Sequence, residues 1–525
     1  MGDFINTGNA GFRESRNGKY VDKSGLISFV NAQLFTKNKF FCVTRARRFG
    51  KTLAAEMLCA YYDKSCDSHE LFDDLEISTN PTLNKTYLDH LNKYPTIYVD
   101  MTDFVSDKPV PGSNVVDSTK FALLEDLKKE YPNIDLGGKE YKDALIEVYN
   151  KTGEEFIFIM DEWDAVLREF ADDKEIVKDW IDFLRGLFKN TRLSKVFAGV
   201  YITGILPFIK DDSQSALNNF WEYNMIEPMG LENYFGFTED EVQTLCGENG
   251  MDFPLVKSWY DGYTVGDATS IFNPSSVMKA ISSKKVGLYW RTTGAGDELS
   301  QHLRYEMKSD VEALMRGESI PVDITSFENS IKDIGSRDKV LTMFIHLGYL
   351  SYNNGEAHIP NMELLLYFAS CIKNADLGGL TRVISRSEEM LECIRKGKSE
   401  RFSELMSLCH DDVCGSVEYN NGQALYTTLR ESLIFAQRDY ILHREYPTGK
   451  GFADLVLIPR PNRNIPGIVI ELKWDKNVQG PISQIKERDY TQKVFEYTDN
   501  VILVGINYDK NSKVHECTME SVSKE

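Results

Sequence analysis

Three residues near the end of the chain have the types and the spacing for phosphodiester chemistry. Asp454 lies in the apolar run Gly451-Phe452-Ala453-Asp454-Leu455-Val456-Leu457-Ile458. Glu471 and Lys473 close a second run, Gly467-Ile468-Val469-Ile470-Glu471-Leu472-Lys473-Trp474. Both runs are rich in β-branched residues and read as strands. Residues i and i+2 of a strand share a face, so Glu471 and Lys473 point the same way and Asp454 can meet them from the neighbouring strand. Two carboxylates suit a hard divalent cation whose octahedron is completed by water. Such a cation acidifies a bound water and neutralises the scissile phosphate, and an ammonium like that of Lys473 positions the water or steadies developing charge. The pattern is that of a Mg²⁺-dependent nuclease with Asp454 and Glu471 as metal ligands and the Leu472 carbonyl as a further one. Glu445, on the preceding strand, is an outer acid or second metal ligand. Gln484, opening the next helix, braces Lys473 or meets the phosphate backbone. Glu-x-Lys alone is common, an ordinary strand edge of alternating charge has the same form, and a degenerate nuclease fold can serve only for binding.

A second phosphate-type pattern lies near the start. Arg45-Ala46-Arg47-Arg48-Phe49-Gly50-Lys51-Thr52 fits the phosphate loop G-x-x-x-x-G-K-[ST] at every fixed position but the first, where Arg45 replaces glycine. A loop between a strand and a helix N-terminus aims backbone N–H groups at phosphate, which puts Arg47, Arg48, Phe49 and Gly50 around the anion. Lys51 reaches the β and γ phosphates of ATP and Thr52 holds Mg²⁺. The missing glycine leaves open how the loop closes. Further on, Phe156-Ile157-Phe158-Ile159-Met160-Asp161-Glu162 is a buried strand ending in two acids. Asp161 is placed to hold Mg²⁺ through water and Glu162 to orient the attacking water. Thr203, at the end of the run 196–202, is either a γ-phosphate sensor or a capping residue. Arg168, Arg185 and Arg192 are candidates for a charge-stabilising arginine, and the sequence does not choose among them.

The elements needed to position these residues are legible as runs and periods. Residues 20–240 alternate short apolar runs with helical spacing: 40–44, 96–100, 156–160 and 196–202 read as strands of βαβ units in a mostly parallel sheet. Residues 230–320 read as helical and loop-rich. Residues 338–370 read as helix, turn, hairpin and helix, the hairpin turning at Asn353-Asn354-Gly355, which is similar to a winged helix. That segment is poor in Lys and Arg, so packing or a protein interface suits it better than DNA. Residues 375–412 read as charged amphipathic connector helices. From 423 a compact pattern follows: helix 424–437, strands near 441–446, 454–458 and 467–472, helix 482–497 and strand 501–506.

Composition bounds the partners. The chain has 525 residues, 42% apolar and 27% charged, with a net charge of −20 and a pI near 5.0. Its length suggests roughly three or four domains. Phosphate binding draws on Lys and Arg, so a chain this acidic must meet nucleic acid through local basic patches, such as Lys450, Lys473, Lys476 and Lys486. Nine cysteines are scattered without a C-x-x-C pair. Cys409-His410 with Cys414 lacks zinc-site spacing, so the thiols read as reduced. No secretory segment opens the chain, Asn6 breaks a myristoylation pattern at Met1-Gly2, and no apolar run nears the ~18 residues of a membrane helix. A cytoplasmic protein without membrane contact is expected.

Tyr20-Val21-Asp22-Lys23-Ser24, the Arg-x-Arg-Arg-Phe-Gly-Lys-Thr loop, Asp161-Glu162-x-Asp164, Trp259-Tyr260-Asp261-Gly262-Tyr263 and Phe272-Asn273-Pro274-Ser275-Ser276 together carry a resemblance. The chain resembles prokaryotic AAA-ATPase-like proteins with a C-terminal PD-(D/E)XK nuclease domain, over essentially its whole length. Arg for Gly in the phosphate loop belongs to that pattern. The resemblance implies an α/β multidomain chain: a P-loop ATPase core over 1–230, a helical lid region over 231–325, a winged-helix-like module over 326–372, a helical connector over 373–420 and a restriction-endonuclease-like domain over 421–525. It implies Asp454, Glu471 and Lys473 as the nuclease triad, ATP and Mg²⁺ as cofactors, nucleic acid (DNA favoured) as substrate, and a possible homo-oligomer. The Trp-Tyr-Asp-Gly-Tyr segment is either a ligand-contacting lid or an aromatic packing cluster. Two functions remain in view: an ATP-controlled nuclease, and a nucleotide-switched regulator whose nuclease fold is inactive.

Overall fold

The computed structural model describes residues 2–106, 114–208, 217–290, 296–325, 335–413, 422–448, 451–461, 463–474, 491–509, 512 and 514–524. The chain forms two compact units, Met1–Lys285 with Ser319–Pro360, and Val286–Glu318 with Asn361–Glu525.

Five parallel strands organise the first unit: β1 Phe40–Thr44, β2 Thr96–Asp100, β3 Phe156–Asp161, β4 Phe197–Gly204 and β5 Trp221–Tyr223. Their order is β2-β3-β4-β1-β5. Side chains alternate between two cores. Phe40, Cys42, Phe158 and Met160 enter one, and Phe41, Val43, Ile157 and Ile159 enter the other. A parallel sheet covered by helices on both faces needs such uninterrupted apolar strands, which is why these runs were readable. Helix α1, Lys51–Tyr62, follows β1 and closes the second core. β4 stands between β1 and β3, so the phosphate loop and the Asp161-Glu162 pair leave the same carboxyl edge from strands that are not neighbours. Ligands of such sheets bind outside that edge.

The segment read as helical and loop-rich also contains a hairpin, β6 Tyr263–Val265 and β7 Ala268–Ile271, before helix α2, Pro274–Ser283. A small sheet then joins β8 Ile320–Pro321, β9 Ser351–Asn353 and β10 Glu356–His358. Its turn uses Asn354 (φ 49°) and Gly355 (φ 88°), the pair of positive φ angles that a type I′ two-residue hairpin loop requires.

The second unit is built on a mixed sheet of β11 Tyr440–Thr448, β12 Gly451–Pro459, β13 Gly467–Trp474, β14 Asn500–Asp509 and β15 Val514–Ser523, in that order. Only β13 and β14 run parallel. Helices α3 Gly379–Arg395, α4 Ser399–Val413 and α5 Gly422–Ser432 cover one face. Val383, Met390, Phe402, Leu405, Leu425 and Leu429 share a core with Leu455, Leu457, Ile468 and Ile470. The helices read as a connector are therefore part of this unit's core. The expected helix 482–497 falls largely on residues outside those described, and Val494–Glu496 is a single 3₁₀ turn. Among the described residues no helix is long and apolar enough to cross a membrane.

Candidate active sites

The first site gathers at the carboxyl edge of the parallel sheet. Gly50 (φ 88°) and Arg48 (φ 70°) take left-handed backbone angles, which turn the loop into the first residue of α1. Lys51 is buried, its Nζ 3.3 Å from the Ala46 carbonyl and 3.6 Å from Glu162 Oε1. Arg45 does not face this loop. Its side chain is wholly buried and donates to the carbonyls of Thr44 (2.9 Å) and Tyr223 (2.8 Å), with Leu231 O at 3.4 Å and the Phe235 ring centre at 5.1 Å. Burial lowers its guanidinium to about 10. The residue in place of the usual glycine is thus a strut from β1 to β5 and the segment beyond, and the loop's turn falls to Arg48 and Gly50 instead.

Asp161 and Glu162 behave differently although adjacent. Asp161 is fully buried, and its Oδ2 has no hydrogen-bond partner among the described residues. Burial first, then the Glu162 charge, pushes its carboxyl up to about 7 against the pull of Thr52 and Lys51. Burial also works against Glu162, but Lys51, Arg168 and Arg47 outweigh it and hold that carboxyl below its ordinary value. Arg168 bonds Glu162 and lies 3.3 Å from Asp164. Glu162 has φ 51°, a strained angle for this residue type. Asp164 accepts from the backbone N–H groups of Ile205 and Leu206 at 3.2 and 3.0 Å and so fixes the end of β4. Asp161 with the facing Thr52 fits a hydrated cation: a buried carboxylate whose charge is disfavoured gains most from one.

Thr203 stands at the end of β4, but its hydroxyl is donated to the Val43 carbonyl at 2.8 Å and it is buried. Its proton is committed within the sheet, so the phosphate-sensing alternative is set aside in favour of a sheet contact. Of the candidate arginines, Arg168 reaches the acids. Arg185 pairs with Asp182 at 2.9 Å on an exposed helix face and Arg192 is exposed.

Sequence reading missed the far wall. A cavity of about 520 Å³ is lined by Tyr20, Lys51, Glu162, Phe237, Pro274 and Met278, among others. Asn273 caps α2 by accepting from Ser276 N (3.1 Å) while donating to the Arg47 carbonyl at 3.3 Å. The Asn-Pro-Ser-Ser signal is a helix cap that also pins the phosphate loop. The aromatic segment is a packing cluster. Tyr263 is 1% exposed, stacks edge-on against Phe49 at 5.1 Å and donates to Gly348 O at 2.7 Å. Gly262 has φ 113°, and a Cβ there would lie 1.9 Å from the Pro360 carbonyl oxygen.

The second site lies on the mixed sheet. β12 and β13 pair Leu455 with Ile470, and one further step sets Asp454 opposite Glu471. Asp454 Oδ2 accepts from Leu472 N–H at 2.7 Å. Lys473 Nζ is 2.6 Å from Glu471 Oε1, and Glu471 is 2% exposed. Burial raises both carboxyls, the Asp454 charge raises Glu471 further and the Glu445 charge raises Asp454, while Lys473 lowers both. Two crowded, desolvated carboxylates are a donor set for a hard divalent cation. Among the described residues no group of three or more His, Cys, Asp or Glu converges as a metal site, and Asp454 and Glu471 are the described carboxylates that meet here. Glu445 (φ 47°) faces solvent beside Arg444 at 3.5 Å and contributes charge to the Asp454 environment. Gln484, Lys450, Lys476 and Lys486 lie outside the described residues. Among the described residues Cys409 and His410 join no metal cluster, and Cys414 lies outside those residues. His410 Nδ1 meets His515 Nε2 at 2.9 Å, and Ser407 Oγ meets His515 Nδ1 at 2.9 Å.

Two family models match this arrangement. Residues 8–213 match the family described as Predicted AAA-ATPase, and residues 427–517 match the PD-(D/E)XK nuclease superfamily. The two matches give the domain architecture that the sequence resemblance implied, an AAA-ATPase-like segment followed by a segment of the PD-(D/E)XK nuclease superfamily. Among solved structures it is similar to the Walker-type ATPase of Pyrococcus abyssi, at 11% identity and a TM-score of 0.36, covering 66% of this chain and 96% of that one. It is also similar to the ORC2 protein of Aeropyrum pernix in ADPNP–ADP complexes, at 11% identity and a TM-score of 0.24, covering 66% and 93%. Both likenesses are too distant to bear on the sites. No curated protein matches the chain.

Proposed function

We propose that the chain binds and hydrolyses ATP at Lys51, Thr52, Asp161 and Glu162, and that its C-terminal unit is a Mg²⁺-dependent nuclease acting on nucleic acid, with DNA favoured and nucleotide state controlling cutting. The observation that carries the nuclease reading is the meeting of Asp454, Glu471 and Lys473 across β12 and β13, with Lys473 Nζ 2.6 Å from Glu471 Oε1. A bound divalent cation would supply an acidified water and neutralise phosphate charge. The chain's own residues do the rest. Asp454 and Glu471 offer oxygens on one side of the scissile phosphate, and Lys473 orients the attacking water and carries charge on the phosphate oxygens. At the ATP site, Glu162 stays ionised beside Arg168 and can align a water in line with the γ-phosphate.

One observation favours a second reading, a nucleotide-switched binding protein with an inactive nuclease fold: Lys473 is engaged by Glu471 at 2.6 Å rather than free to meet a phosphate. Supercoiled plasmid, linear duplex and single-stranded DNA, each with Mg²⁺ and with or without ATP, separate the two. Cutting that ATP modulates and that Lys473→Ala removes, with the fold retained by circular dichroism, supports the nuclease. Cutting that survives undiminished in Lys473→Ala refutes the site. An intact chain that never cuts, yet whose nucleic-acid binding responds to ATP, establishes the second reading.

A further inference from the structure

Strand register carries the nuclease face beyond the three residues of its triad. On β12 and β13 the side chains of Leu455, Leu457, Ile468 and Ile470 meet the covering helices, so Asp454, Glu471 and Lys473, out of phase with them, stand on the other face. β14 continues that face. Its Ile506 and Tyr508 join the helix-side core, which leaves Gly505 and Asn507 on the side of the acids. The parallel register sets Gly505 opposite Glu471 and Asn507 opposite Lys473. Neighbouring strands lie about 4.8 Å apart, and paired residues share a face, so the Asn507 side chain is within the span of a lysine stem.

Both residues interrupt a run that is otherwise apolar, Val501-Ile502-Leu503-Val504-Gly505-Ile506-Asn507-Tyr508. A glycine inside a strand gives up packing and suits a place where a ligand comes close. Gly505 brings no side chain beside Glu471 and leaves room at that carboxylate. Asparagine is disfavoured in strands, and Asn507 is 4% exposed, so its amide leaves water at a cost that hydrogen bonds must offset. Along its row the described neighbours are Lys473 on β13 and Glu516 on β15, both charged. An amide oxygen accepts, and an ammonium carries three donors. One of those donors goes to Glu471 Oε1 at 2.6 Å.

We propose that Asn507 is a positioning residue of the nuclease site: its amide oxygen receives the Lys473 ammonium as that group leaves Glu471, which releases the Glu471 carboxylate to a divalent cation and keeps the ammonium turned toward the phosphate. A neutral acceptor suits this task better than an acid, because it holds the ammonium without adding a charge that repels phosphate. The inference deepens the nuclease reading and rests on its metal site.

The test is a double-mutant cycle on cation affinity, read by calorimetry on the full-length chain. Mn²⁺ is the probe, since it takes the same oxygen ligands as Mg²⁺, and no nucleic acid is needed. The part of the uptake that Glu471→Gln removes belongs to this site. For that part, Asn507→Leu is expected to weaken affinity about tenfold, the factor of one hydrogen bond to a charged group. Asn507→Ala, a second variant without an acceptor, is expected to do the same with less bulk, and circular dichroism checks the fold of each chain. In Lys473→Met, which has no ammonium to move, the same changes at Asn507 are expected to alter affinity by less than about twofold. Unchanged affinity in both Asn507 variants, or an equal loss with and without the Lys473 ammonium, overturns the proposal. Mn²⁺ uptake that Glu471→Gln leaves untouched removes the metal site and the nuclease reading with it. A parent chain that binds Mn²⁺ through Glu471 and cuts plasmid, yet shows no coupling between Asn507 and Lys473, removes this inference alone.

Discussion

Replacing Arg45 with glycine restores the commonest phosphate-loop spelling, yet the structure predicts that the change destabilises the protein. The wholly buried guanidinium serves the Thr44 and Tyr223 carbonyls at 2.9 and 2.8 Å. Stranding two buried carbonyls costs about 1–3 kcal/mol each, and emptying the arginine's volume adds a cavity. Relief works the other way. The guanidinium is lowered from 12.5 to about 10 by burial, so removing it recovers about 3 kcal/mol at 1.36 kcal/mol per pKa unit. With about 2 kcal/mol for each carbonyl and about 2 for the cavity, less about 3 of relief, the net expected loss is about 3 kcal/mol. Over a urea slope of about 2 kcal/mol per molar, the unfolding midpoint falls by about 1.5 M. Trp163 and Trp180, both fully buried in the same unit, report the transition by fluorescence. Arg45→Met, which keeps most of the stem, should lose the carbonyl contacts while creating less cavity and fall between parent and glycine variant. An Arg45→Gly midpoint within about 0.3 M of the parent would show that the strut bears no weight.

Three other outcomes are expected. Asp161 has a folded value raised to about 7, so it contributes stability at low pH that is lost as pH climbs from the ordinary carboxylate range through about 7. Binding of Mg²⁺-nucleotide requires the carboxylate, so calorimetry at about pH 6 in buffers of different ionisation enthalpy should detect close to one proton released, and little at about pH 8.5; equal release at both would contradict it. Thr203→Val should cost about 1 kcal/mol through the lost bond to Val43 O and leave nucleotide affinity within about twofold, whereas a tenfold loss would restore the sensing role. Burial raises Asp454 and Glu471, and the Asp454 charge raises Glu471 further, so Mg²⁺ should strengthen DNA binding by more than screening allows in the parent and by much less in Glu471→Gln; identical Mg²⁺ dependence in the two chains would refute the shared site.

The parallel core was legible because covered strands must be apolar throughout: Phe156–Met160 admits no other economical reading. β5 escaped notice because three residues, Trp221–Tyr223, are too few for any period, although they carry the carbonyl that holds Arg45. β15 escaped for a different reason. Val514–Ser523 pairs along its whole length with β14, but its inward residues include His515 and Cys517 rather than a β-branched row, so tertiary pairing decides its state. α3 and α4 looked like a charged connector because their outer faces dominate the composition, while Met390, Phe402 and Leu405 face the mixed sheet. The shared face of Glu471 and Lys473 was readable from period two, whereas Asp454 came from its place in the neighbouring apolar run and from the family resemblance. The place of Asn507 opposite Lys473 was not readable, since it depends on the register of β13 with β14.

The two lysines are held in one manner, and the difference in what surrounds them bears on what each site can do. Each ammonium rests against a glutamate, at 3.6 Å for Lys51 with Glu162 and 2.6 Å for Lys473 with Glu471. A phosphate entering either site draws the ammonium toward itself. Glu162 then still has Arg168 and Arg47 to keep it ionised, the state a water-orienting carboxylate needs. Glu471 has Asp454 beside it, which disfavours ionisation further. Once Lys473 turns to the phosphate, a proton or a cation must restore charge balance to that pair, and only the cation leaves both carboxylates ionised. On the proposed reading, the first site can therefore keep its base charged by protein groups alone, whereas the second becomes competent only when phosphate and metal arrive together.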